Sequence, residues 1–167
     1  MKRSRRVRRL PGGKYRVRLP AAERLLLMVL STHLATILGS EEPYADPSMR
    51  RLFPPAYVDD EDAERSYQDL VRGDLVAQRA RALNAVDHVT HSPEVDDEEM
   101  AAFLAALNSL RLVIGTHLDV SENLDDLETE GGFSSSTVGA YTYLSWLEGQ
   151  VVDAMSASLP PSTDTST

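Results

Sequence analysis

The sequence predicts a mostly helical protein, in which a bundle of about five helices follows an N-terminal β-hairpin. Three observations lead to this fold class. Residues 14–19 alternate basic and apolar side chains, the period of a half-buried strand. From residue 21 onward, apolar residues recur at helical spacing. Capping residues, glycines and prolines stand at the ends of these helical segments.

Residues 1–19 are predicted to form a basic β-hairpin arm. Pro11-Gly12-Gly13 separates two short stretches of strand character, and glycine supplies the positive φ angles of a tight turn. Arginines on the exposed side of such a hairpin are candidates for contact with nucleic acid. These candidates are Arg5, Arg6, Arg8, Arg9, Arg16 and Arg18.

Residues 20–159 are predicted to form the helical bundle domain. The first helix is expected at Ala21–Leu38, ending at Gly39. Because it is apolar nearly all round, it is expected at the centre of the core. A short helical turn follows Asp46-Pro47 and ends before Pro54.

The longest helix is expected to begin after Asp59 or Asp60 and to end between His88 and His91. Its predicted inner stripe consists of Tyr67, Leu70, Val71, Leu75, Leu83 and Val86.

Two more helices complete the predicted bundle. Asp96 and Glu99 resemble a capping box that starts the fourth helix, and Gly115 is expected to end it. The last helix is expected at residues 137–158, after an acidic loop at residues 119–135. The tail at residues 160–167 has the composition of a disordered segment.

Charge is distributed very unevenly along the chain. Residues 1–20 hold nine Lys or Arg and no acid, whereas residues 21–167 hold the other eight basic residues and all 26 acids, a net charge of −18. A basic arm on an acidic body is typical of an interaction segment. The apolar run of the first helix is shorter than the roughly 20 residues that span a bilayer, so the sequence predicts a cytoplasmic protein without a membrane partner.

The sequence contains no cysteine, which excludes disulfides, thiolate nucleophiles and Cys-ligated zinc. It also lacks a phosphate-binding loop, a Gly-x-Ser-x-Gly elbow and a His-Glu-x-x-His motif. No set of residues combines a base, a nucleophile and an oxyanion donor. We therefore expect a binding protein with no catalytic residues and no cofactor.

Two segments resemble metal sites weakly. His88 and His91 are three residues apart, but a third convergent histidine is missing, and a helix C-terminus favours such side chains anyway. Residues 119–130 partly match a calcium loop, yet Leu124 stands where that loop needs glycine. No metal site is predicted from either segment.

Four residues are candidates for partner binding. Arg111 lies in an otherwise apolar stretch of helix and suits either a structural ion pair, which we favour, or a binding contact. Trp146 lies off the main stripe of the last helix, and Tyr143 adds aromatic area near it. Both suit either packing or an interface, where Trp, Tyr and Arg are enriched. Thr116 completes the set.

The chain resembles an actinobacterial family of unknown function that includes the actinobacterial oxidative stress regulators (AosR-like). Three stretches carry the resemblance: the hairpin and first helix at residues 13–26, LNSLRLVIGTHL at residues 107–118, and YLSWLE at residues 143–148. With YVDD at residues 57–60 and the long helix, the likeness covers nearly the whole chain.

This resemblance implies a cytoplasmic regulator that acts on transcription and the stress response by binding a sigma factor or RNA polymerase. An adaptor of the Clp proteolytic system is the alternative. Nucleic-acid contact through the arm and self-association as a homodimer are further candidate interactions. The oxidative stress branch senses through a cysteine pair, which this chain lacks.

The absence of cysteine generates a prediction about redox chemistry. Peroxide is expected to act on the five methionines, whose sulfoxides need dedicated reductases for repair. Circular dichroism and partner binding, measured before and after peroxide, should therefore show no change that dithiothreitol reverses. A dithiothreitol-reversible change would contradict this expectation.

Overall fold

The computed structural model describes residues 4–40, 46–118 and 135–157. The acidic loop, its calcium-like segment at residues 119–130 and the C-terminal tail lie outside these residues. In chain order the described elements are β1 (Val7–Arg9), β2 (Tyr15–Val17), α1 (Ala21–Leu38), α2 (Ser48–Leu52), α3 (Glu61–His91), α4 (Asp97–His117) and α5 (Ser135–Ser156). Helix accounts for 73% of the described residues, which confirms the predicted fold class.

The N-terminal strands form an antiparallel hairpin in which Val7 pairs with Val17 and Arg8 with Arg16. Gly12 and Gly13 have φ angles of 83° and 80°, which explains why glycine occupies both positions of the turn. Val7, Val17 and Tyr15 are buried in the same core as the helices. The hairpin therefore packs as one layer of the domain.

The other edge of the hairpin is joined to the segment before α4. Tyr15 donates its backbone N–H to the Val95 carbonyl over 2.8 Å, and Val95 donates back over 2.9 Å. The Tyr15 hydroxyl donates to Asp97, and burial together with this hydrogen bond raises the pKa of Tyr15. The hairpin is thus attached to the start of α4.

The central helix is α4, which packs against α1, α2, α3 and α5. Nine of its residues are buried, among them Phe103, Leu107 and Leu110. Its N-terminus has the predicted capping box between Asp96 and Glu99. The helix continues past Gly115 to His117, so the predicted end is two residues short.

Gly115 has a packing role rather than a terminating one. A Cβ atom at this position would lie 3.1 Å from Cε2 of Tyr141 on α5. Glycine therefore allows α4 and the tyrosine ring to approach closely. Such a contact depends on the neighbouring helix, which is why the sequence alone predicts a helix stop here.

The prediction that α1 is the central core helix is wrong. Three of its 18 residues are buried, namely Leu27, Leu34 and Leu38, and its other face is open to solvent. The prediction equates apolar composition with burial, although composition alone does not show which neighbours cover a helix.

The predicted inner stripe of α3 is also partly wrong. Leu83, Val86 and Val89 are buried near the end of this helix, whereas Leu70 is 82% exposed. In the first half of α3, Tyr67, Val71 and Leu75 are half-buried and Leu75 packs against the core, so the predicted stripe is only partly covered there. The helix begins after Asp60, which accepts a hydrogen bond from Ala63 N, and ends at His91 as predicted.

The two glycines at positions 73 and 115 provide a paired test of this packing. Gly73 lies inside α3 with nothing within 4 Å of an added Cβ, so Gly73→Ala should stabilise the protein by about 1 kcal/mol. Gly115→Ala gains the same helical preference but displaces Tyr141, so it should melt no higher than wild type. Thermal unfolding measures the melting temperatures of both variants. An equal rise in melting temperature for the two would contradict the described packing of α4 against α5.

Candidate functional site: an anchored arginine hairpin

Arg6 fastens the hairpin to the helical body. Its guanidinium makes a bidentate ion pair with Glu23 on α1, with Nε 2.9 Å from Oε2 and Nη2 2.7 Å from Oε1. Both side chains are mostly buried, with 17% and 20% of their surface exposed. The hydrogen bonds to Glu23 raise the pKa of Arg6, so this arginine stays charged at any pH at which the protein folds.

Three residues of α5 complete this anchor. The Tyr143 hydroxyl donates to Oε2 of Glu23 over 3.0 Å. The Trp146 ring centroid lies 5.9 Å from Cζ of Arg6, within the range of a cation–π contact. Gln150 accepts a 2.9 Å hydrogen bond from the Arg6 backbone N–H. We call Arg6, Glu23, Tyr143, Trp146 and Gln150 the anchor cluster.

Two residues of this cluster, Tyr143 and Trp146, are the aromatic residues predicted to bind a partner. Tyr143 is buried, and Trp146 is half-buried beside it with the ring centroids 5.9 Å apart. Tyr143 therefore belongs to the buried side of α5. Glu23 and Gln150 are not predicted from the sequence, although Glu23 is the single acidic residue of a largely apolar helix. A single carboxylate in an apolar helix is the feature of the sequence that could have indicated a buried ion pair at Glu23.

Arg111 forms the intramolecular ion pair that its position suggests. Its Nε lies 3.1 Å from Oε2 of Glu148 on α5. This oxygen is buried and accepts no hydrogen bond among the described residues, so the contact is ionic only. Arg111 also donates to Asn108 over 3.2 Å, and 34% of its side chain remains exposed. Thr116 lies apart, with its hydroxyl donating to the Leu112 carbonyl.

The outer side of the hairpin is a basic surface. Arg8 and Arg16 are directly opposite each other across the two strands. Together with Arg5, Arg6, Arg18 and Leu10 they line one small depression of about 70 Å³. We call Arg5, Arg8, Arg16 and Arg18 the arginine face. Arg9 is half-buried in register with Tyr15 and does not line this depression.

Little negative charge offsets the arginine face. Arg16 lies 2.9 Å from Glu94, in a pair with both side chains 38% exposed. Within residues 4–40, 46–118 and 135–157, no carboxylate forms an ion pair with Arg5, Arg8 or Arg18. Like charges directly opposite on neighbouring strands destabilise a hairpin. The face is therefore held together by the anchor and core beneath it.

The histidines lie near carboxylates, and the rings of His33 and His117 are 6.5 Å apart. His88 Nε2 lies 2.7 Å from Glu99, and His117 Nε2 lies 3.7 Å from Asp46. Burial would raise the pKa of Asp46, but hydrogen bonds from Ser48 and the nearby histidines outweigh it and lower that pKa. Among the residues that the structure describes, no three His, Cys, Asp or Glu side chains converge as metal ligands.

Residues 3–155 match a family model described as "Domain of unknown function (DUF2017)". The chain belongs to the DUF2017 family. No curated protein and no solved structure matches it. The matched range begins before β1 and ends within the last turn of α5, so the hairpin is part of the DUF2017 domain.

The anchor of this DUF2017 chain can be tested by removing its negative charge. Glu23→Gln keeps the shape of the side chain but leaves a mostly buried Arg6 without a counter-ion, so stability should fall by about 1–3 kcal/mol. The matched control is Glu94→Gln, which breaks the more exposed pair with Arg16 and should cost less than about 1 kcal/mol. Urea unfolding gives the free energy of unfolding of each variant. An equal loss for the two would show that the Arg6–Glu23 pair is an ordinary surface ion pair.

Proposed function

We propose that the chain is a non-enzymatic regulatory protein that binds an acidic surface of a protein partner through the arginine face. The observation that carries this proposal is the arginine face itself: four guanidinium groups lie together on a hairpin fixed to the body, and Glu94 alone pairs with them among the described residues. This concentration of like charge costs stability. Binding of an anionic ligand gives a reason for keeping it.

A fixed hairpin suits recognition better than a free arm. The anchor cluster and the backbone pairing with Val95 hold the strands, so less conformational entropy is lost on binding. Arginine also pairs with carboxylates in a bidentate geometry that lysine does not provide. The expected ligand is therefore a short acidic segment presented in a defined geometry.

A protein ligand is favoured over nucleic acid by size and charge. The hairpin has two strands of three residues, which offers few phosphate contacts. The remainder of the chain carries a net charge of −18 over residues 21–167, which opposes a long contact with a phosphate backbone. The same charge distribution orients the arginine face toward an acidic protein and raises the association rate.

The identity of the partner is proposed from the likeness to the actinobacterial oxidative stress regulators. On that basis the partner is a cytoplasmic sigma factor or RNA polymerase, and the chain regulates transcription. A Clp-linked adaptor is the competing proposal. The binding mode is common to both, because it depends on the chemistry of the arginine face. Thiol sensing is not part of either, since the chain has no cysteine.

Reversing two charges on the arginine face tests the proposal. In the double variant Arg8→Glu and Arg18→Glu, the carboxylate introduced on β1 is opposite Arg16 across the strands, so the hairpin should be at least as stable as in wild type. Loss of binding therefore cannot be attributed to unfolding. Affinity purification from the native host, followed by mass spectrometry, should recover a partner with wild type and not with this variant.

The matched control reverses Arg51 and Arg81, which are exposed on α2 and α3 and give the same change in net charge. It should recover the partner as wild type does. Titration of that partner should show binding at least about tenfold weaker for the hairpin variant, with a strong dependence on salt. Equal binding by both variants, or recovery that is abolished by nuclease, would contradict an acidic protein partner.

A further inference from the structure

Helix α1 presents an apolar face to solvent. Leu25, Met28 and Val29 are 55%, 53% and 55% exposed. After Arg24, the helix contains no Asp, Glu, Lys or Arg as far as its end at Leu38. A large apolar surface without charge is rare on a monomeric protein and indicates a contact with another molecule.

A groove lies beside the exposed apolar side chains of α1. A cavity of about 320 Å³ runs between α1 and the end of α3. Leu25, Met28 and Thr32 line one side, and Leu83, Val86 and Thr90 line the other. The exposed side chains of α1 therefore protrude beside a groove of similar apolar character.

We propose that the groove between α1 and α3 is the interface of a homodimer, in which α1 of each copy packs antiparallel into the groove of the other. A two-fold interface requires one patch that is complementary to itself. The protruding side chains of α1 and the groove between α1 and α3 lie side by side in this patch. This interface is separate from the arginine face and does not depend on it.

The distribution of charge is compatible with a second copy as the occupant. Each copy has a net charge of −9, so two copies can approach closely only through an uncharged surface. The charged residues of the groove, Arg24, Asp87 and His91, lie together at the start of α1 and the end of α3. A two-fold axis near Met28 places these charged ends on opposite sides of the dimer, where like charges do not meet.

The available area is sufficient for a specific dimer. Helix α1 is about 27 Å long, and with α3 it forms a strip about 20 Å wide. This strip gives on the order of 500 Å² per copy, or about 1,000 Å² in total, which is where specific interfaces begin. The dimer is therefore expected to dissociate at low concentration.

Sedimentation equilibrium of the full chain at micromolar concentrations tests this proposal. Wild type should show twice the 18.4 kDa monomer mass. Met28→Lys and Met28→Glu each place like charges near the two-fold axis and should give monomers, whereas an equimolar mixture of the two should recover dimers. The matched control is Leu70→Lys, at a position 82% exposed outside the groove, and it should remain dimeric.

Cross-linking gives an independent measurement in a chain without cysteine. Val29→Cys should form a disulfide-linked dimer under mild oxidation, and Leu70→Cys should not. Circular dichroism of every variant should match wild type, because the altered side chains are at least half exposed. The proposal would be overturned if wild type were monomeric, or if the Met28 variants remained dimeric. It would also be overturned if the mixture of Met28→Lys and Met28→Glu stayed monomeric. So would a monomer that sediments with vesicles of phosphatidylcholine and phosphatidylglycerol.

Discussion

The ion pair between Arg6 and Glu23 determines how the hairpin and the helices form one structure. It joins a residue before β1 to the first turn of α1, and Tyr143 and Trp146 on α5 enclose it. Both charges are mostly removed from water, so each depends on the other for compensation. Without this pair, the arginine-rich hairpin would lose one of its attachments to the body and would keep the backbone pairing with Val95 and the core packing of Val7 and Val17.

This anchor changes how the basic N-terminal segment is understood. A flexible arm would sample many orientations and lose them all on binding, whereas the described hairpin already has its arginines in place. One arginine, Arg6, is used inside the structure, and four others form the arginine face. The strand period places Arg6, Arg8, Arg16 and Arg18 on the side opposite Val7 and Val17, so Arg6 borders the same depression while it pairs with Glu23. The anchor cluster and the arginine face are therefore contiguous parts of the same hairpin.

The sequence predicts those parts of the fold that depend on local patterns. The capping box of Asp96 and Glu99, the glycine turn and the long helix after Asp60 all follow from neighbouring residues. Features that depend on contacts between distant parts of the chain are not predicted from the sequence. Apolar α1 is expected at the centre, because its composition does not show that much of it lacks a covering element. The partners of Arg6 are also missed, since Glu23 is 17 residues away along the chain and Gln150 on α5 is 144 residues away.

Native-state hydrogen exchange of the hairpin tests the central claim most directly. The Tyr15 amide donates to Val95 and so reports on attachment of the hairpin to the body, whereas the Arg18 amide donates to Arg6 and reports on pairing within the hairpin. If the hairpin is an integral layer of the domain, these two amides should open with a free energy close to that of core amides in α4, such as Leu107. Rapid exchange at Tyr15 and Arg18, while Leu107 remains protected, would show that the hairpin is a free arm and would contradict the account.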